Sequence, residues 1–344
     1  MKAVAKLAPK AGSVGLIDAP MPERRTGEVL IRIIASGICG TDVSLWKWHE
    51  SIAASYSPEL PLILGHEFAG EVIECDPNNR VKVGDVVAVN PQVSCGLCVY
   101  CQQGHPTLCD TRKLMGGNLH DGWAEYVTAP VQNCYRLPEG TDPAVAPLLE
   151  PFTVAYHAVG ERVRPRTGDA IAIIGAGPIS LMITILAKAS GAANVFVSGL
   201  TADLERLRLA EQLGAIPVNV EQADLAKTIK SIAPEGANVV YETSGSSVAL
   251  QQAIQSVTKG GQIGVIGLCH KESSIESLPV VLREISITGS RGYNDTTWNR
   301  MMPIVKEHSH NILKLATHEV KLDQFEDALK MVEQRVGAKI ILRP

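Results

Sequence analysis

The stretch AIAIIGAGPISLMITILAKASGA, residues 170–192, restricts the possible folds of this chain more than any other segment. Its uncharged run, 170–187, is about the length of a membrane span. Two glycines and a proline near its middle argue for strand, turn and helix instead. On that reading Gly175 permits the tight turn after the strand. Gly177 lets the backbone approach a pyrophosphate at the helix amino terminus, and Pro178 suits a first helical turn because its missing N–H costs nothing there. Ser180 is small enough to preserve helix–strand packing where a third Gly or Ala usually stands. A glycine turn of this kind, opening a βαβ unit, predicts dinucleotide binding by Gly175, Gly177, Pro178 and Ile179.

The surrounding sequence has the matching texture. From about 153 to 290, apolar strands (AIAIIG, NVFVSG, VVYETSG, QIGVIG) alternate with helical patterns (ISLMITILAKASG, LERLRLAEQLG, VALQQAIQSVTKGG). Such alternation predicts a parallel, doubly wound sheet. Residues 1 to about 150 read differently, as short apolar runs (EVLIRIIASGICG, EFAGEVIEC, GDVVAVNP, WAEYVTAP) broken by Gly, Pro and Asp, which predicts a β-rich domain. The tail, DQFEDALKMVEQRVGAKIILRP, reads as an amphipathic helix and a final strand. A length of 344 residues fits two domains. With a net charge of -4 there is no basic footprint for nucleic acid or anionic membrane. The amino-terminal MKAVAKLAPKAG has no apolar core of signal-peptide length, so a cytoplasmic location is expected.

Of eight cysteines, four fall in SCGLCVYCQQGHPTLC: Cys95, Cys98, Cys101 and Cys109, spaced C-x2-C-x2-C-x7-C. In a reducing compartment this pattern predicts metal ligation rather than disulfides. Four thiolates would fill a tetrahedral zinc shell and leave no place for substrate, so the site would be structural. An iron–sulfur cluster, or a lobe without metal, are the competing readings.

Chemistry must then come from elsewhere. Cys39 in GICGTD, His66 and Glu67 in LGHEFAG, and Glu150 in LLEPFTVAYHA offer a thiolate, an imidazole and carboxylates, a donor set suited to a zinc that keeps an exchangeable position. Such an ion acts as a Lewis acid and promotes loss of an alcohol proton. Each motif alone has a plainer reading, as a buried cysteine or a turn. Their co-occurrence on either side of the lobe argues for the metal.

Cofactor choice turns on the end of the NVFVSGLTADLERL strand, where an acid normally receives the ribose 2′-hydroxyl of NAD. That place falls on Gly199, with Asp203 too far along and Arg206 inside the next helix. NAD and NADP both stay open, with a lean to NADP.

In order over residues 37–180, GICGTD, GHEFAGEV, CGLCVYCQQGHPTLC, EPFTVAYHA and IGAGPIS resemble the zinc-dependent medium-chain dehydrogenases, in particular their sorbitol (polyol) and threonine dehydrogenase branch. The resemblance implies an α/β chain with a GroES-like catalytic domain at 1–152 and 292–344 and a Rossmann domain at 153–291, the active site lying in the cleft between them. It implies two zincs per chain, Cys39, His66 and Glu67 holding the catalytic one with Glu150 beside its water or replacing a ligand. It places Thr243, Ile266, Leu268, Ser290 and Arg291 near the dinucleotide, and makes Thr41 a participant in proton removal. It also implies a homodimer or homotetramer.

The chain departs from the branch in two places: Ser44 stands where a His is usual, and Gln92 where the threonine branch has another His. Trp46 and Trp48 are candidate pocket walls or packing residues. The expected activity is reversible oxidation of a secondary alcohol (a polyol, sugar alcohol or related hydroxy compound) to a ketone, with hydride passing to NAD or NADP. A threonine or amino-alcohol dehydrogenase is the rival within enzymes. A non-catalytic dinucleotide sensor or structural protein holding only the structural zinc is the rival outside them.

Overall fold

The computed structural model describes residues 1–77, 79–269 and 271–344. By their contacts they form two compact units, Met1–Glu150 with Asn294–Pro344, and Pro151–Tyr293.

The first unit is β-rich. Its main sheet runs Cys134–Arg136, Val86–Val89, Glu67–Glu74, Glu28–Gly37, Lys339–Arg343, Ala316–Lys321, and Tyr126–Pro130 also pairs with Glu28–Gly37. A smaller sheet joins Val14–Asp18, Lys2–Lys6 and Leu62–Ile63. Apolar residues of these strands and of the segments packed on them bury two clusters, one around Ile31, Phe68 and Val87, the other around Leu45, Trp123 and Leu342. Two features position the site. The antiparallel register sets Gly37 opposite Glu67, and the carboxyl-terminal strand pairs with the same long strand, Ile341 opposite Gly37. Residues distant in the chain thereby meet at one strand end.

The second unit holds six parallel strands: Ile216–Asn219, Asn194–Gly199, Ala170–Ile174, Ala237–Glu242, Val257–Val265 and Ser286–Gly289, in that spatial order. This is the doubly wound arrangement with its switch point beside the first strand. The Ala170–Ile174 strand is wholly buried, and the following helix, Pro178–Ala189, buries Leu181, Ile183 and Ile185 against the sheet. Fold class is as the sequence predicts.

One element departs from expectation. Helix is expected through VALQQAIQSVTKGG, but it ends at Ser256 and a strand starts at Val257. β-branched Val257 and Thr258 favour extended backbone, and Gly260 adopts φ +68. The pairing with Ala237–Glu242 slips across this segment. The helix Asp295–Leu313 and the strand Ala316–Lys321 are additions that the sequence reading does not contain. Among the described residues, no helix is long and apolar enough to cross a membrane.

Candidate functional site

Cys39 follows the long strand and stands at the N-cap of the helix Gly40–Trp46. Its backbone amide donates to Asp42 Oδ2 at 2.8 Å, a local capping contact that fixes the turn. His66 and Glu67 follow a turn at Gly65, where φ is +88 and any Cβ would enter the Trp123 ring. Only glycine fits there, so this residue sets the path of the chain into both candidate ligands. The donor atoms of Cys39, His66 and Glu67 lie within 4.8 Å of one another, with His66 and Glu67 buried.

The surroundings are strongly anionic. Asp42 is fully buried, and its Oδ1 lies 3.6 Å from His66 Nδ1, beyond hydrogen-bond reach. Burial opposes a charged His66, but the Asp42 carboxylate and Cys39 outweigh it and raise the imidazole well above its usual range. Asp121, also buried, has no hydrogen-bond partner on either oxygen. Burial pushes its carboxyl well above the ordinary value; His66 opposes that rise while Asp42 and Glu150 add to it. This many negative groups around a sulfur, a nitrogen and an oxygen fit a bound cation, and the soft-to-hard donor mix fits zinc. Asp42 lies close enough to act on His66 through its charge rather than through a hydrogen bond.

Lys339 supplies the balancing charge. It is 3% exposed, its Nζ donates to Ile38 O at 2.8 Å, and it bridges both oxygens of Glu67. Burial would lower this ammonium; Glu67 and then Cys39 outweigh that and raise it. Glu150 is buried in the same unit and contributes to the field at Asp121 and Lys339, but it stands outside the group of three donors. The Thr41 hydroxyl lies 3.9 Å from Cys39 Sγ. Ser44 donates to Gly40 O at 2.9 Å within its own helix, and His49 is exposed at the next helix start. Trp46 packs against the core, and Trp48 lies beneath Lys6 Nζ, 5.3 Å from the ring centre.

The second candidate centre gathers all four lobe cysteines. Sγ–Sγ distances are 3.5 Å for Cys98–Cys101, 3.5 Å for Cys95–Cys109 and 4.0 Å for Cys95–Cys101. Tetrahedral zinc with bonds of about 2.3 Å requires about 3.8 Å between sulfurs. These are ligand spacings, far longer than a disulfide. The Leu97 and Cys98 amides donate to Cys95 Sγ at 3.4 and 3.3 Å and lower its thiol to about 6, favouring the thiolate a metal needs.

In the parallel unit, the strands present their carboxyl ends together. Gly175, Thr243, Ile266 and Ser290 each come directly after a strand, Leu268 and Arg291 follow within three residues, and Gly199 ends its own. Gly175 has φ +110, and a Cβ there would press on Thr243 Oγ1 at 2.9 Å. Gly177 is the helix N-cap with nothing within 4 Å of its missing Cβ, open space in front of the amino-terminal amides of Pro178–Ala189. The opening suits a pyrophosphate. Ser180 and Thr243 hydroxyls are 2.7 Å apart, so the serine in the third small position ties helix to sheet.

Asp42, Asp121 and Lys339 are site residues that the sequence reading leaves out. Asp42 carried a local signal, an acid three residues after the N-cap. Asp121 and Lys339 reach the site only through tertiary pairing and carry none.

Residues 25–139 match the alcohol dehydrogenase GroES-like domain, and residues 178–307 match the zinc-binding dehydrogenase family. The chain is 34% identical over 349 residues to L-threonine 3-dehydrogenase of Bacillus subtilis, covering 100% of this chain and 99% of that protein. It is 30% identical over 349 residues to sorbitol dehydrogenase of Halalkalibacterium halodurans, with 100% and 99% covered. A zinc-binding dehydrogenase from Sinorhizobium meliloti, solved bound to NADP, superposes with a TM-score of 0.89 at 27% identity, with 100% and 99% covered.

Proposed function

Since this chain belongs to the zinc-binding dehydrogenases with an alcohol dehydrogenase GroES-like domain, an enzyme family working with zinc and a nicotinamide dinucleotide, we propose that it oxidises the secondary hydroxyl of a small polyol, sugar alcohol or related hydroxy compound to a ketone. The observation that carries this reading is the convergence of Cys39, His66 and Glu67 within 4.8 Å in a buried, anionic setting. We assign these three as the catalytic zinc ligands, with Glu150 beside them, and Cys95, Cys98, Cys101 and Cys109 as the ligands of a second, structural zinc.

When bound, zinc supplies Lewis acidity to the substrate hydroxyl and the nicotinamide supplies a hydride acceptor. The residues of the chain do the rest. The buried Asp42 carboxylate sustains the basicity of His66 through its charge. Lys339 holds Glu67 in place and offsets its charge. Thr41, in the first turn beyond Cys39, would relay the substrate hydroxyl proton, accepting it as its own hydroxyl proton passes on to solvent. Gly175, Gly177 and Pro178 seat the pyrophosphate, while Thr243, Ile266, Leu268, Ser290 and Arg291 line the strand ends around the dinucleotide.

L-threonine is the second substrate reading, supported by the curated threonine dehydrogenase relatives at 31–34% identity. Gln92, where the threonine branch carries a histidine, favours the polyol reading, while Ser44 departs from both. We also propose a homo-oligomer. The strand Ser286–Gly289 is a sheet edge, and the short helix before it exposes Leu278, Val281 and Leu282 at 65–72%. An unprotected edge beside an apolar patch suits a second copy of the chain.

The test is a panel of polyols, sugars, hydroxy acids and L-threonine run with NAD and NADP, following nicotinamide absorbance, on the wild type and Cys39→Ala. The variant is expected to lose turnover while keeping dinucleotide binding and melting temperature. Turnover by Cys39→Ala near the wild-type rate contradicts the metal-centred reading.

A further inference from the structure

The Asn194–Gly199 strand ends without the carboxylate that normally meets the adenosine ribose. Three observations show what stands there instead. First, the position cannot easily hold an acid: a Cβ on Gly199 would meet Ala176 Cβ at 3.0 Å and Asp203 Cβ at 3.1 Å. Second, Asp203 is committed inward. It is buried, its Oδ2 accepts the Leu200 amide at 3.1 Å, and its Oδ1 faces Arg206 at 3.8 Å. Third, the neighbouring strand brings a carboxylate of its own. Asn219 pairs directly with Gly199, its Nδ2 donates to Thr201 Oγ1 at 3.0 Å, and the Glu221 carboxylate accepts the Thr201 amide at 2.7 Å. Glu221 is solvent-exposed, and the Thr201 hydroxyl and amide keep its carboxyl below the usual glutamate range.

We infer that Glu221, anchored on Thr201 from the adjacent strand, is the residue that selects the dinucleotide, accepting the ribose 2′-hydroxyl of NAD and repelling the 2′-phosphate of NADP. This rests on the dinucleotide reading of the site above and reverses the lean to NADP drawn from Gly199 alone. Charge supports the direction. A 2′-phosphate brings nearly two negative charges against an ionised carboxylate. No lysine or arginine occurs in residues 199–202 or 219–223. Arg206 is buried on Asp203, and Arg208 points about 200° around the same helix from it.

The experiment is isothermal titration of NADH and NADPH into wild type, Glu221→Gln, and Glu205→Gln, an exposed acid on the following helix that serves as a control for general charge. Circular dichroism melts confirm that each variant folds. Wild type is expected to bind NADH about tenfold more tightly than NADPH. Glu221→Gln should abolish most of that preference, chiefly by tightening NADPH, and Glu205→Gln should keep it. Equal or tighter NADPH binding by wild type overturns the inference. So does a preference unchanged in Glu221→Gln, or one lost equally in Glu205→Gln. Failure of both dinucleotides to bind wild type would instead overturn the dinucleotide reading itself, and this inference with it.

Discussion

Glu67 and Lys339 form the most exposed point of the account at the residue scale, because both are buried and each is the other's principal countercharge. Removing one partner of such a pair strands the other, at a cost of about 3–5 kcal/mol. Lys339→Met should therefore lower the urea-denaturation stability by about that amount. Adding Glu67→Gln to it should recover most of the loss, since no stranded carboxylate remains. A single variant as stable as wild type would show that the pair is not balanced as described. The same residues show how far the sequence could be read. Cys39, His66, Glu67 and the lobe cysteines stand in short motifs whose residue types alone suggest ligation. Lys339 lies 272 positions from Glu67 and becomes a neighbour only because its strand pairs beside Gly37. Asp121, in a segment without periodicity, was equally silent. Glu150 shows the reverse case: its motif is conspicuous, yet the backbone leaves it outside the three-donor group.

At the scale of elements, local pattern was a good guide where burial and propensity agreed. The AIAII strand and the helix after it were legible because every residue of the strand is buried and the glycine turn has one workable geometry. The segment Val257–Gly261 misled because a run of helix-compatible residues leads into it without a break, while sheet pairing with Ala237–Glu242 decides its conformation. Sheet edges are likewise invisible to periodicity, and they make a prediction of their own. If the Ser286–Gly289 edge and its neighbouring helix meet a second copy, Val281→Glu with Leu282→Glu should reduce the assembly to single chains by light scattering coupled to size exclusion. Both side chains are more than 70% exposed, so the fold itself should tolerate the change. An unaltered oligomer mass would move the interface elsewhere.

The whole molecule joins two kinds of unit built by different rules. In one, a sheet assembled from both ends of the chain gathers ligands at strand ends and helix caps. In the other, parallel strands bring Gly175, Gly199, Thr243, Ile266 and Ser290 to one edge of the sheet because all of them run the same way. On the proposed function, a catalytic metal would be held by three side chains of the first unit and a structural one by the four cysteines of its lobe. Anomalous diffraction at the zinc absorption edge, on crystals of the zinc-loaded chain, tests this most directly. The account predicts two peaks per chain, one among Cys39, His66 and Glu67 and one among Cys95, Cys98, Cys101 and Cys109. A single peak, confined to the four cysteines of fully loaded protein, would contradict it.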